Sequence, residues 1–495
     1  MKIGFDNQKY LELQSRHIME KLALFGDKLY LEFGGKLFDD FHAARVLPGF
    51  EPDSKIKMLQ EVADLLEVII VINAGDIERK KIRADYGITY DMDVMRLMDA
   101  LRARDIYVNS VVIKQYKDQP SADIFRKKLM GHGEKVYIHK NVTGYPNDVD
   151  TIVSDEGYGV NPYIETSRKI IIVTAPGPGS GKLATCLSQL YHESKMGVRS
   201  GYAKFETFPI WNLPLKHPVN IAYEAATADL RDVNMIDPFH LEAYGTATVN
   251  YNRDIEVFPI VQNILNKILP EKKDLYKSPT DMGVNMAGYC VSDDEAVREA
   301  ARQEIIRRYY RCWCDYKNGR GDIEAVHKLE LLLNDLSIKP QSRTVVIPAL
   351  EKAKCKSAPA CAIELGDGRI VTGKTTSLMN APACAIINSL KVLSSMDDEI
   401  HLISPLVFEP IMTLKKDILG GTCARLGVEE VLMALSISAV TNPMASHAVS
   451  KLPLLSGCEA HTTTMPSDSD EATLRRLGMN ITSEPEFENK ELYQI

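Results

Sequence analysis

The stretch Lys169–Glu193, KIIIVTAPGPGSGKLATCLSQLYHE, sets an apolar run, a loop of glycine, proline and serine, and a lysine in front of a helical pattern. KIIIVTA has no polar alternation, so it reads as a strand buried on both faces, the kind found in parallel sheets. KLATCLSQLYHE carries Leu183, Leu187 and Leu190 on one side and reads as a helix. Strand, glycine-rich loop and helix in that order make an α/β crossover whose turn is shaped to hold an anion: backbone N–H groups curl round the oxygens, and the helix dipole favours negative charge.

The neighbouring segments repeat the theme. KLYLEF (28–33), EVIIVIN (67–73), IYVNSVVI (106–113) and KVYIH (135–139) are short and β-rich, and helical patterns such as MDVMRLMDALRARD (92–105) fall between them. This alternation predicts a mainly parallel sheet. The first segment, with Leu11, Ile18, Leu22 and Phe25 at helical spacing, predicts an amphipathic helix and no signal-peptide core. Helical periodicity then dominates from about 257 to 340. Strands are expected again beyond 341, in TVVIPAL, ACAIELGDGRIVTG, EIHLIS and CEAHTTTM. The expected organisation is an α/β domain over 1–256 with the phosphate loop, a helical region over 257–340 and a second α/β domain over 341–495.

The chain has 495 residues and a formal net charge of −8, which argues against a general nucleic-acid binder. No run of about 18 apolar residues suggests a membrane span. Its nine cysteines form no C-x-x-C pair, as expected of a cytoplasmic protein with free thiols. A homo-oligomer is left open.

Two stretches compete for the role of phosphate cradle. GRIVTGKT (368–375) matches the phosphate-loop pattern letter for letter, but Asp367-Gly368 is a hairpin turn signal, and an extended Arg369–Thr372 cannot wrap an anion. APGPGSGKLATCL passes on context. There Gly177, Gly179, Ser180, Gly181 and Lys182 are the candidate phosphate-binding residues. Pro176 replaces the first glycine and Leu183 the hydroxyl residue that ligates magnesium. Thr185, one helical step on, is the candidate replacement.

A nucleotide site also needs a carboxylate to hold magnesium or activate a hydroxyl. Val219–Asp254 is the densest source. Glu224, at the end of the apparent strand VNIAYE, and Asp229, Asp237 and His240 are the candidate catalytic residues, with Glu224 and Asp237 as candidate metal ligands. Asn73 and Asp76 form an N-x-x-D pair that could read a purine edge. YHESKM (191–196) lacks the second histidine of a zinc protease, and no G-x-S-x-G elbow exists. The DGRIVTG hairpin before a helix carrying Cys384 looks like a cytidine-deaminase core, without its zinc pattern.

Taken end to end, the chain resembles an uncharacterised bacterial family, domain of unknown function 1846. FGGKLFDDFHAARVLPGF (33–50), INAGDIERKKIRADYGI (72–88), the 175–193 loop and helix, MIDPFHLEAYGTATVNYNRDIE (235–256) and ALSISAVTNP (434–443) carry the resemblance. It implies a bacterial protein and brings no activity with it. The residues themselves point to a nucleotide- or phosphate-binding protein, expected to be an ATP- or GTP-dependent phosphotransferase or ligase using magnesium on a small molecule. The alternative is a non-catalytic binding or regulatory protein holding a phosphorylated metabolite in the same loop.

Overall fold

The computed structural model describes residues 2–83, 87–421 and 425–488. The chain divides into two compact units, Met1–Glu224 with Asp232–Ala301, and Ala225–Arg231 with Arg302–Ile495.

The first unit is built on seven parallel strands: β1 (Lys28–Phe33), β2 (Leu66–Asn73), β3 (Tyr107–Lys114), β4 (Val136–His139), β5 (Ile170–Thr174), β6 (Ser200–Phe205) and β7 (Gly283–Val284). Their order across the sheet is β7-β6-β1-β5-β2-β3-β4. Val68 to Ile72 and Ile170 to Val173 are fully buried, as their unbroken apolar runs predict. Each such side chain stabilises the fold by about 1.5–3 kcal/mol relative to an exposed one. The short β7 lies inside the stretch expected to be purely helical. Two residues are too few to leave a periodicity.

Helix α1 (Asn7–Phe25) is capped by Asp6 and buries Leu11, Ile18, Leu22 and Phe25 as expected. Tyr90–Arg102 forms α2, which packs on β2 and β3. Lys182–Lys195 forms α3, which packs on β1, β5 and β6.

The strand order fixes where a ligand can sit. From β1 to β4 the chain steps one way across the sheet, then β5 returns to the centre and β6 and β7 step the other way. Right-handed crossovers therefore send the loops after β1 and β2 to one face and those after β5 and β6 to the other. The carboxyl ends of β6, β1, β5 and β2 flank the switch points, where open α/β sheets bind ligands. The 175–181 loop leaves the centre of that edge.

Val219–Glu224 is not a strand: Pro218–Ala226 forms helix α4, with proline at its first position, where no N–H is needed. Pro238–Tyr244 (α5) and Asn252–Ile268 (α6) follow within the first unit, and Asp294–Lys317 (α7) runs past its last residue.

In the second unit Ile323–Asp335 forms α8. TVVIPAL is not a strand either: its β-branched run opens helix α9 (Val346–Lys356), with Pro348 tolerated in the first turn. Residues of EIHLIS have no strand assignment. The strands β8 (Ala360–Glu364), β9 (Ile370–Lys374), β10 (Glu459–Thr462) and β11 (Asn480–Ser483) form one sheet in the order β9-β8-β10-β11. Ala381–Leu393 (α10) covers β8 and β9. Among the described residues, no helix is long and apolar enough to cross a membrane.

Candidate phosphate-binding site

Thr174 ends β5, and the chain turns through Pro176–Gly181 before α3 begins at Lys182. Pro178 and Gly179 at the crest are exposed. Gly177 lies against Tyr90 so closely that a Cβ there would meet the phenol oxygen at 2.2 Å. The Ser180 hydroxyl donates to the Gly177 carbonyl at 2.8 Å and closes the turn. Gly181 enters α3 with φ +92°, a left-handed conformation that glycine adopts at little cost.

No side chain caps the first turn of α3. Its leading N–H groups therefore keep the partial positive charge that favours an anion. Lys182, the first helical residue, is half-buried, and its ammonium makes no hydrogen bond or ion pair among the described residues. Burial lowers its pKa, Glu32 opposes that shift, and the positive charges of Lys204 and Arg253 add to it.

A second lysine approaches from β3. Lys114 is buried, and its stem passes beneath Gly181. Its ammonium lies 3.3 Å from His139 Nδ1, while His139 Nε2 lies 3.1 Å from the Pro162 carbonyl. A carbonyl accepts only, so Nε2 carries the proton and Nδ1 receives a bond from Lys114. Burial, with the Lys114 charge behind it, takes the His139 pKa down to about 3. Burial lowers that of Lys114 to about 8.

On the other side of the loop, β1 and β6 end in a compact ionic group. Tyr202 donates to Glu32 at 2.8 Å. Lys204 pairs with Glu206 at 2.6 Å and with Asp254. Glu206 is buried, and burial raises its pKa to about 7; Lys204 pulls it down, while Asp254 and Glu32 push it up. A carboxyl poised near neutrality can accept or give a proton at physiological pH. None of Glu32, Lys114, Lys204 and Glu206 is among the residues expected from the sequence. The readable signal is a charged residue at the carboxyl end of an apolar strand.

The expected acidic candidates each have partners within the fold. Asp237 is fully buried and caps α5, accepting from the Phe239 and His240 N–H groups at 3.0 and 3.1 Å. Its other oxygen accepts from Asn250 at 3.0 Å and Thr280 at 3.1 Å. Both of its oxygens are thus engaged in holding the local fold. Glu224 accepts from the Asn234 N–H at 3.3 Å. His240 meets Ser278 at 3.1 Å and packs against Tyr244. Asp229 belongs to the second unit and pairs with Arg308 at 2.8 Å.

Thr185 is fully buried and donates to the Gly181 carbonyl at 3.0 Å, the ordinary back-bond of a helical threonine. It is not presented to a metal. Asn73 caps the short helix Ala74–Glu78, and Asp76 pairs with Arg79 and Lys81. Both have local structural partners.

The rival pattern is a hairpin, as expected. Leu365–Arg369 makes the turn, and Lys374 ends β9 opposite Ala360. Cys361 and Cys384 are buried free thiols, and no cluster of three His, Cys, Asp or Glu capable of holding a metal occurs among the described residues. The eight described cysteines are all free; Cys423 lies outside the described residues.

Residues 3–337 match the family described as domain of unknown function DUF1846, N-terminal, and residues 341–493 match its C-terminal counterpart. UPF0371 proteins of Clostridium botulinum strains Eklund 17B and Alaska E43 are each 58% identical over 501 residues, covering 100% of this chain and 99% of the relative. A UPF0371 protein of Clostridium tetani is 56% identical over the same coverage. The chain belongs to the DUF1846 family and carries its two domains in order.

Proposed function

We propose that the first unit binds a phosphate ester, with the phosphate on the Gly177–Gly181 loop and Lys182, and that the protein is an enzyme acting on that small molecule. The observation that carries this reading is the ammonium of Lys182. It makes no hydrogen bond or ion pair among the described residues and stands at an uncapped helix N-terminus, on the central carboxyl edge of a parallel sheet. Backbone N–H groups and a cationic side chain in such a place favour an anion. Glu206, held near neutrality beside Lys204, supplies the acid or base. The free thiols support a reducing, cytoplasmic setting.

The second reading is an ATP- or GTP-dependent phosphotransferase or ligase, favoured by a lysine that directly follows the glycine loop. Its magnesium would rest on the phosphates, water and one carboxylate. Glu32 is the carboxylate this reading uses, because Asp237 has no oxygen to spare. A third, a non-catalytic binder of a phosphorylated metabolite, is favoured by Leu183, which occupies the place of the magnesium-binding hydroxyl.

One titration separates them. Thermal shift and calorimetry are run with inorganic phosphate, sugar phosphates, ADP, ATP and GTP, with and without magnesium, on wild type and Lys182→Ala. A phosphate ester that stabilises only the wild type supports the site. A dependence on magnesium favours the nucleotide reading, and binding that no assay converts to turnover favours the binder. Equal shifts in both proteins refute the site.

A further inference from the structure

Two ammonium groups, not one, reach the glycine loop. Lys182 opens α3, and Lys114 ends β3 and comes from beneath. The Cγ and Cε atoms of Lys114 both lie 3.3 Å from where a Cβ at Gly181 would stand. Its Nζ is one bond further on, which keeps it within about 5 Å of that point.

Lys114 is buried, with 4% of its surface exposed, and forms no ion pair among the described residues. An ammonium has three protons to donate. One goes to His139 Nδ1, and the other two have no acceptor among the described residues. His139 supplies no counter-charge: its proton faces the Pro162 carbonyl, and burial keeps the ring neutral. The acidic group that acts on Lys114 is Cys186, whose thiol burial keeps protonated. The carboxylates on the other side of the loop act elsewhere. Glu206 and Asp254 pair with Lys204, Asp232 pairs with Arg253 at 2.6 Å, and Glu32 helps to keep Lys182 charged. A buried charge without a partner costs free energy, which an anion at the loop would recover.

We propose that the loop takes the dianionic terminal phosphate of a monoester, held by Lys182 and Lys114 together, and discriminates against phosphodiesters. This rests on the reading of Gly177–Gly181 as the phosphate site. Two ammonium groups and the N-terminus of α3 converge there on one ligand group. A monoester brings close to two negative charges at neutral pH, and a diester brings one. The inner phosphates of a nucleoside triphosphate also carry one charge each. The class that matches the site is therefore a small phosphorylated metabolite, not a nucleotide held by its α- or β-phosphate.

Calorimetry of the full chain near pH 7.5, where a monoester is ionised, compares methyl phosphate with dimethyl phosphate. The proteins are wild type, Lys114→Met and Lys182→Ala. One charge-assisted contact to an anion is worth roughly ten- to a hundredfold in affinity. Wild type is expected to prefer the monoester by about tenfold or more. Lys114→Met, which keeps an unbranched stem under Gly181, is expected to bind the monoester more weakly and to narrow the preference. A wild-type preference smaller than about tenfold overturns the inference with no variant needed. So does a folded Lys114→Met that keeps the wild-type preference. In both cases, monoester binding that Lys182→Ala weakens leaves the phosphate site standing. Wild type that binds neither ester, or Lys182→Ala that binds both as wild type does, overturns the site and the inference together.

Discussion

The stem of Lys114 passes beneath Gly181, so that a Cβ at 181 would stand 3.3 Å from both Cγ and Cε of the lysine. This contact joins β3 to the mouth of α3 and gives Gly181 two reasons to be glycine: its φ of +92° and the lysine below it. Gly181→Ala is expected to cost about 1–2 kcal/mol from the left-handed backbone alone. Displacing Lys114 adds to that. Urea unfolding measures the stability loss, and calorimetry with phosphate should show binding weakened more than Lys114→Met weakens it.

The two lysines that follow a glycine in a candidate phosphate-loop pattern, Lys182 and Lys374, should behave oppositely. Removing one charge-assisted contact to an anion costs about 1.5–3 kcal/mol, or roughly ten- to a hundredfold in affinity. Lys182→Ala is expected to lose that much phosphate affinity. Lys374→Ala, at the end of a hairpin strand, is expected to lose none. A Lys374→Ala protein with weakened binding would return the rival pattern to consideration.

Lys114 links binding to pH. Its pKa of about 8 is depressed by burial, and an anion at the loop would restore the charged form and draw in a proton. Affinity should therefore fall as pH rises through about 8, where a phosphate monoester is already fully ionised. Calorimetry at pH near 8.5 in buffers of different ionisation enthalpy should report proton uptake. In Lys114→Met the uptake should vanish.

Glu206 carries the opposite kind of linkage. Its folded pKa, about 7, lies above its unfolded value of 4.5, so the folded state holds the proton longer. Stability from this group is complete below about pH 4.5 and is lost as pH rises through about 7. Glu206→Gln should match wild type near pH 5 and exceed it by on the order of 2 kcal/mol near pH 8. Unfolding curves that keep a constant gap across that range would show that Glu206 does not titrate there.

The strands were legible because burial on both faces leaves unbroken apolar runs, and β2 and β5 could hardly be read otherwise. VNIAYE and TVVIPAL misled for one shared reason. Each is a β-branched run in a helix whose first turn holds a proline, and tertiary packing overrode local propensity. The strand, loop and helix around Lys182 could be read because they are contiguous in sequence. The ionic group around Glu206 could not, because Lys204 and Asp254 are 50 residues apart and meet only when β6 and α6 come together.

Asp237, a loop carboxylate that reads as a catalytic candidate, caps α5 in the fold. It sits before Pro238 in an acidic, irregular stretch, yet it is fully buried, and its two oxygens accept four hydrogen bonds. A capping residue replaced by alanine costs about 0.5–2 kcal/mol. Asn250 and Thr280 would also be left with unmet polar groups in the interior, which adds about 1–3 kcal/mol. Asp237→Ala should therefore lower the unfolding free energy by roughly 2–4 kcal/mol. Asp237→Asn, which keeps the cap, should lose less. In both variants phosphate affinity and any magnesium dependence should remain those of wild type at a temperature where the protein is folded. A selective loss of magnesium dependence in folded Asp237→Asn would instead place this carboxylate at the metal.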